Sequence, residues 1–304
     1  MAPFSFPALT ASPPSRRNWY EELLNHPDCH GPQQVAEAYE THRATYLDKN
    51  LKIFASDTNP VTPDQALISY LQRQNNKQKD GEPSKEDLKN LEINCLGTSA
   101  RPSQTTVSMI QEIQRKVSAL VGADFYSMPA SLLHIAMVEL AHRHNLAYLH
   151  SVASAVGKTR LQNMLDLAST LPSKPRLVLP RLSFDVMGIA LTFLPDSAQE
   201  YTYHHLRAET HSIALESGES FDMCYTAPSA HVTLGRFVGN SFFSAKDSRE
   251  AFIDLIDTIN KDLEASSENQ QSWILCDELS AELQAGYLKF GVERECADML
   301  GKSP

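Results

Sequence analysis

Near residue 90 the chain changes its rhythm. Before that point apolar residues recur at helical spacing; after it, short alternating stretches are interleaved with helical ones. From Asn18 to about Leu51 the helical markers are Trp19, Leu23, Leu24, Val35, Ala38, Tyr39 and Tyr46, and the stretch between Pro27 and Pro32 divides them into two pieces. A third helix is expected after Thr62-Pro63, with proline at its first position, Asp64 in its first turn, and Ala66, Leu67, Tyr70 and Leu71 on its buried side. Residues 1–16, rich in Pro and Ser, read as an irregular arm. Residues 72–87 are polar and lack aromatics, so they read as an exposed loop.

Strands are expected at 93–96 and 125–128, around a helix over 106–121 that carries Val107, Ile110, Ile113 and Val117. One long helix is expected over 146–171. Strands at 176–184 and 186–194, a helix at 201–216, an amphipathic helix at 248–263 and strands at 272–276 and 286–292 complete the pattern. Two further strands each open on a histidine: His134-Ile135-Ala136-Met137 and His231-Val232-Thr233-Leu234. Alternation along a strand puts His231 and Thr233 on one face, with Val232 and Leu234 on the other. His134 and Ala136 stand in the same relation. A polar pair on an otherwise buried strand calls for a cleft over it, and imidazoles suit acid–base work because their ordinary pKa lies near neutrality.

Each half of the region beyond residue 130 then runs His strand, helix, strand, strand: 131–195 first and 229–292 second, joined by the 201–216 helix. This is a repeat of architecture rather than of sequence. Strands this short, separated by hairpins and helices, predict an α+β fold and not a parallel doubly wound sheet.

Composition narrows the function classes. The chain has 304 residues, 42% hydrophobic and 21% charged, as in globular proteins. Its formal charge of −10 opposes long-range attraction to nucleic acid, so non-specific gripping of long RNA or DNA is not expected. Five scattered cysteines without a CxxC pair argue against a disulfide framework or a zinc cluster. No signal-peptide core and no apolar run of membrane length is visible, which predicts a cytoplasmic protein with no membrane partner.

The two histidine motifs resemble those of the two-histidine phosphoesterase superfamily, which includes RNA ligase-like and cyclic-nucleotide phosphodiesterases. The resemblance spans about residues 90–295, with 1–90 as an N-terminal helical extension and polar loop and 296–304 as a tail. It implies a bilobal, pseudo-symmetric α+β fold with two antiparallel sheets flanking a central cleft. It also implies His134 and His231 as the catalytic pair, and hydrolysis of a cyclic phosphate on a nucleotide or an RNA end without metal or other cofactor. In the family a hydroxyl two residues past each histidine binds a phosphoryl oxygen. Thr233 fulfils that pattern; Ala136 departs from it, and a lost donor at a charged group costs about 1–3 kcal/mol. Tyr287 and Lys289, alternating on a terminal strand, are further candidates for substrate binding, beside the plainer reading of a packed tyrosine and a surface lysine. Regular alternation turns Arg236 away from His231 unless a bulge intervenes.

Other chemistry is weaker. His142 and His144 share a strand face, but no carboxylate or cysteine stands at ligand spacing, so no metal site is expected. His204, His205 and His211 fall in a helical stretch and read as solvated. Gly157-Lys158-Thr159 lacks the upstream glycine and strand of a phosphate-binding loop. Cys224 has no base beside it and reads as a buried thiol. Two alternatives to the phosphodiesterase keep the fold: an acid–base enzyme acting on an uncharged metabolite, and a binding module that needs only the cleft.

Overall fold

The computed structural model describes residues 14–80, 94–222, 227–266, 272–286 and 299–303, the side chains of 73–80 excepted. Helices α1 (Trp19–Leu24), α2 (Pro32–Phe54) and α3 (Gln65–Asp80) come first. Pro32 opens α2, while α3 begins at Gln65, past the expected start at Pro63, and Asp64 caps it instead of lying in its first turn: its Oδ1 accepts from the Leu67 amide at 3.2 Å. The helix then runs through Asp80, well into the stretch expected as loop. Its Gln, Lys and Asn residues are adequate helix formers once a cap has nucleated the first turn.

The remaining elements are β1 (Asn94–Ala100), α4 (Gln104–Val121), β2 (Phe125–Ser127), β3 (Ile135–His144), α5 (Leu146–Val156), α6 (Lys158–Thr170), β4 (Arg176–Phe184), β5 (Gly188–Pro195), α7 (Tyr203–Leu215), β6 (Ala230–Phe237), α8 (Lys246–Ala265), β7 (Trp273–Ile274), β8 (Glu282–Gly286) and β9 (Met299–Leu300). The expected single helix over 146–171 is two. Gly157 at φ 86 lies in a region that side chains disfavour, and it ends α5 before Lys158 begins α6. The final long strand lies at Glu282–Gly286, ahead of the expected 286–292, of which only Gly286 is described.

The fold is α+β, with helices packed on a large antiparallel sheet. The strands run β7-β4-β5-β6-β3-β1-β8-β9, with β2 pairing onto β6. The two expected sheets are therefore one: β5, β6 and their neighbours join β1, β3 and theirs through the single pair Ile135–Val232. Beyond that pair β3 and β6 part, and the opening between them is the cleft.

Helices α1 and α2 share the core with the sheet: Tyr20, Val35, Tyr39 and Phe54 are buried in the same cluster as Met137, Val232 and Phe252. At its centre lies Arg207 of α7, 1% exposed. Its Nε donates to the Met137 carbonyl at 2.9 Å, and Nη1 to the Ala227 carbonyl at 3.0 Å and the Tyr39 hydroxyl at 3.3 Å. Nη2 donates to the Tyr20 hydroxyl at 3.0 Å, with the guanidinium 4.1 Å above the Tyr20 ring centroid. The neighbouring α7 histidines are not solvated as expected. His204 and His211 are completely buried because the N-terminal helices cover α7. The Nε2–H of His204 donates to the Tyr20 carbonyl at 2.9 Å, which leaves Nδ1 to accept from the Tyr39 hydroxyl at 2.9 Å. His205 closes a capping box with Thr202.

Candidate functional site

The pair Ile135–Val232 fixes the register of the central strands. One step outward along each strand sets His134 across from Thr233 and Ala136 across from His231. All four line one pocket, as the sequence pattern expects. Tyr287 and Lys289, like Cys224, lie outside the described residues.

Both central strands slip at the third residue past the histidine. On β3, Ala136 faces Ser99 and Val138 faces Thr98, so Met137 is extra. On β6, Thr233 faces Ala190 and Gly235 faces Ile189, so Leu234 is extra. Each bulge is held by a buried side-chain donor. Arg207 binds the Met137 carbonyl; Gln114 of α4 donates through Nε2 to the Leu234 carbonyl at 2.8 Å and to that of Met128 at 2.7 Å. Gly235 follows the second bulge, where a Cβ would lie 2.2 Å from the Phe125 ring.

The bulges change which side chains reach the cleft. Past Leu234 the alternation reverses, and Arg236 joins His231 and Thr233 on the pocket wall. Its Nε is buried and has no hydrogen-bond partner among the described residues. The corresponding residue of β3 is Glu139, 4% exposed, whose Oε2 is likewise buried without a partner among the described residues. A second slip at Leu140, between the pairs Gly97–Glu139 and Leu96–Ala141, brings Glu139 and His142 onto the same side. The Nδ1 of His142 then lies 2.9 Å from Glu139 Oε1 and 3.3 Å from the Sγ of Cys95 on β1. Sequence spacing shows neither partner, because one sits on another strand and the other is brought round by a bulge. His144 turns elsewhere, to Asp222 at 2.7 Å.

The hydrogen bonds fix the tautomer of one catalytic candidate, His134, and leave that of His231 open. His134 Nδ1 lies 2.8 Å from the Leu132 carbonyl, so it carries the proton and Nε2 offers a lone pair. His231 Nδ1 lies 2.9 Å from the Ser229 hydroxyl, which either donates or accepts. Burial lowers the pKa of both rings, that of His231 to about 4, and the positive charges of Arg207 and Arg236 push His231 further in the same direction.

A second cavity, about 350 Å³, opens from the same residues on the β6 side. His231, Thr233 and Arg236 line both spaces. The far wall belongs to α2: His42 and Tyr46 present rings within 17° of parallel, their centroids 6.3 Å apart, and the Tyr46 hydroxyl donates to Asp185 at 2.9 Å. The N-terminal extension thus walls the cleft, a role its sequence left open. The space nearest Glu139 is tighter, about 60 Å³.

No family model matches the chain, and no curated protein does. The chain is similar in structure to a conserved protein of unknown function from Agrobacterium tumefaciens, at a TM-score of 0.41 and 13% identity, over 63% of this chain and 80% of that one.

Proposed function

We propose that the chain is a two-histidine phosphodiesterase that hydrolyses a cyclic phosphate, such as a 2′,3′-cyclic nucleotide or an RNA end. The observation that carries this reading is the convergence of His134, His231, Thr233 and Arg236 on one pocket wall. Arg236 offers a buried N–H that has no acceptor among the described residues, which suits a phosphoryl oxygen. Thr233 supplies a hydroxyl beside it. The larger cavity, with His42 and Tyr46 on its wall, suits the flat face of a base.

The His134 tautomer suggests the roles. Neutral His134 takes a proton from water through Nε2 as the water oxygen attacks phosphorus. Protonated His231 gives its proton to the ribose oxygen as the P–O bond breaks, leaving a phosphate monoester and a free hydroxyl. The charges that lower the His231 pKa make its imidazolium a stronger acid. Thr233 and Arg236 hold the non-bridging oxygens through the transition state. Glu139 opposes negative charge on the β3 side, so the phosphate seats against β6.

The test is hydrolysis of 2′,3′-cyclic nucleotides by the full chain, beside His134→Ala and His231→Ala. Each substitution should lower kcat by roughly 10²–10⁴-fold. The optimum of kcat/KM should lie on the acid side of pH 6.5, because one depressed histidine must be charged and the other neutral. Folded wild type without turnover moves the assignment to acid–base chemistry on an uncharged metabolite, the reading that Ala136 and Glu139 favour.

A further inference from the structure

We propose that Cys95, Glu139 and His142 form a site for a divalent transition-metal ion of the zinc class, with its fourth position opening on the histidine cleft. Their ligand atoms all lie within 4.8 Å of one another. Thiolate, carboxylate and imidazole are the ligand types that Zn²⁺ takes, and three protein ligands with one open position is the pattern of reactive rather than structural zinc.

Hydrogen bonding alone explains the cluster poorly. The Cys95 sulfur and the Glu139 carboxylate approach the same ring atom, Nδ1 of His142, and that atom holds a single proton. The second carboxylate oxygen of Glu139 is buried with no hydrogen-bond partner among the described residues. A cation at the focus of the three side chains would satisfy every one of these atoms. Tetrahedral zinc, with bonds of about 2.0–2.3 Å, sets its ligand atoms roughly 3.3–3.8 Å apart. The 2.9 Å and 3.3 Å separations need to open by only about half an ångström or less to accept it.

Charge favours the same conclusion. A thiolate and a carboxylate bring two negative charges to a cleft whose other wall is cationic, and one divalent ion cancels them. The cluster shares its pocket with His134 and His231, so the open position faces the space those rings face. The site stands on the β1–β3 geometry and does not depend on the phosphodiesterase reading.

Cobalt(II) is the probe, because thiolate ligation colours it. The full chain, stripped with chelator, should bind one Co²⁺ with the visible bands of a four-coordinate ion and a near-ultraviolet sulfur-to-cobalt charge-transfer band. Zn²⁺ should displace it, following the usual affinity order. Cys95→Ser should abolish the charge-transfer band, while the nearly isosteric Glu139→Gln should weaken binding by roughly tenfold or more without altering the fold seen by circular dichroism. His231→Ala, across the cleft, should keep the spectrum. The proposal is overturned if the wild type takes up no stoichiometric Co²⁺. It is equally overturned if the charge-transfer band survives in folded Cys95→Ser, which would place the metal on another thiol.

Discussion

Five residues past its histidine, β3 sends Glu139 into the cleft; five residues past its own, β6 sends Arg236. The backbones that do this correspond closely. Each strand slips at the third residue, and each slip is held by a buried donor, Arg207 under Met137 and Gln114 under Leu234. The chemistry above those backbones does not correspond. One wall carries Ala136 and a carboxylate, the other Thr233 and a guanidinium. The two strands therefore share a way of aiming side chains and differ in what is aimed. A ligand that bridges them meets an acidic half and a basic half, so its orientation is set before any specific contact forms.

The comparison breaks most readily at its anchors. Arg207→Met leaves the Met137 carbonyl and two tyrosine hydroxyls in the core with their donor removed. It should cost about 3–5 kcal/mol, measured by urea denaturation. Acid should act next. His204 and His211 are held near pKa 3 and His231 near 4, all below the ordinary 6.5. Their stabilising effect is complete above pH 6.5 and is lost as pH falls toward those folded values. Each should remove up to about 1.4 kcal/mol per pH unit. Melting temperatures taken from pH 7 to pH 4 would show the fall. His211→Phe should flatten it, since both ring nitrogens of His211 lack partners among the described residues.

Smaller effects sharpen the contrast between the walls. Arg236→Ala should lower kcat/KM for a cyclic nucleotide by about 1.5–3 kcal/mol in transition-state terms, roughly 10–150-fold. Glu139→Gln, assayed with chelator present, should change it in the opposite direction. Ala136→Thr, which copies the β6 pattern onto β3, should raise kcat/KM by up to about tenfold, the worth of one added hydrogen bond. A loss of activity in that variant would mean the β3 wall is shaped for a neutral group.

The sequence was most legible where period and chemistry coincide. The two histidine strands, the polar pair His231 and Thr233, and the α8 stripe through Phe252 and Ile259 follow from alternation and helical spacing alone. Bulges were less legible, because an extra residue leaves little trace in a pattern of apolar positions. Arg236 was conditional on one, and Glu139 beside His142 was hidden by another. Cys95 was invisible to spacing because strand pairing across the sheet, not sequence distance, brings it to His142. The burial of His204 and His211 depends on α1 and α2 folding over α7, and no local window reports that. The split at Gly157 was readable in principle, since a glycine inside a long helical pattern is a common stop.

The hydroxyls of Tyr20 and Tyr39 stand in for water around the Arg207 charge, and both come from the first two helices. Those helices therefore cannot melt or be cut away while the sheet stays native, since their departure would leave a cation stranded in apolar surroundings. Backbone amides of α1 and α2 should exchange with deuterium at the same rate as those of β3, through unfolding of the whole chain rather than local fraying. What looks from the sequence like an appendage should behave as part of one cooperative unit, and a protease should find no stable shortened form to release.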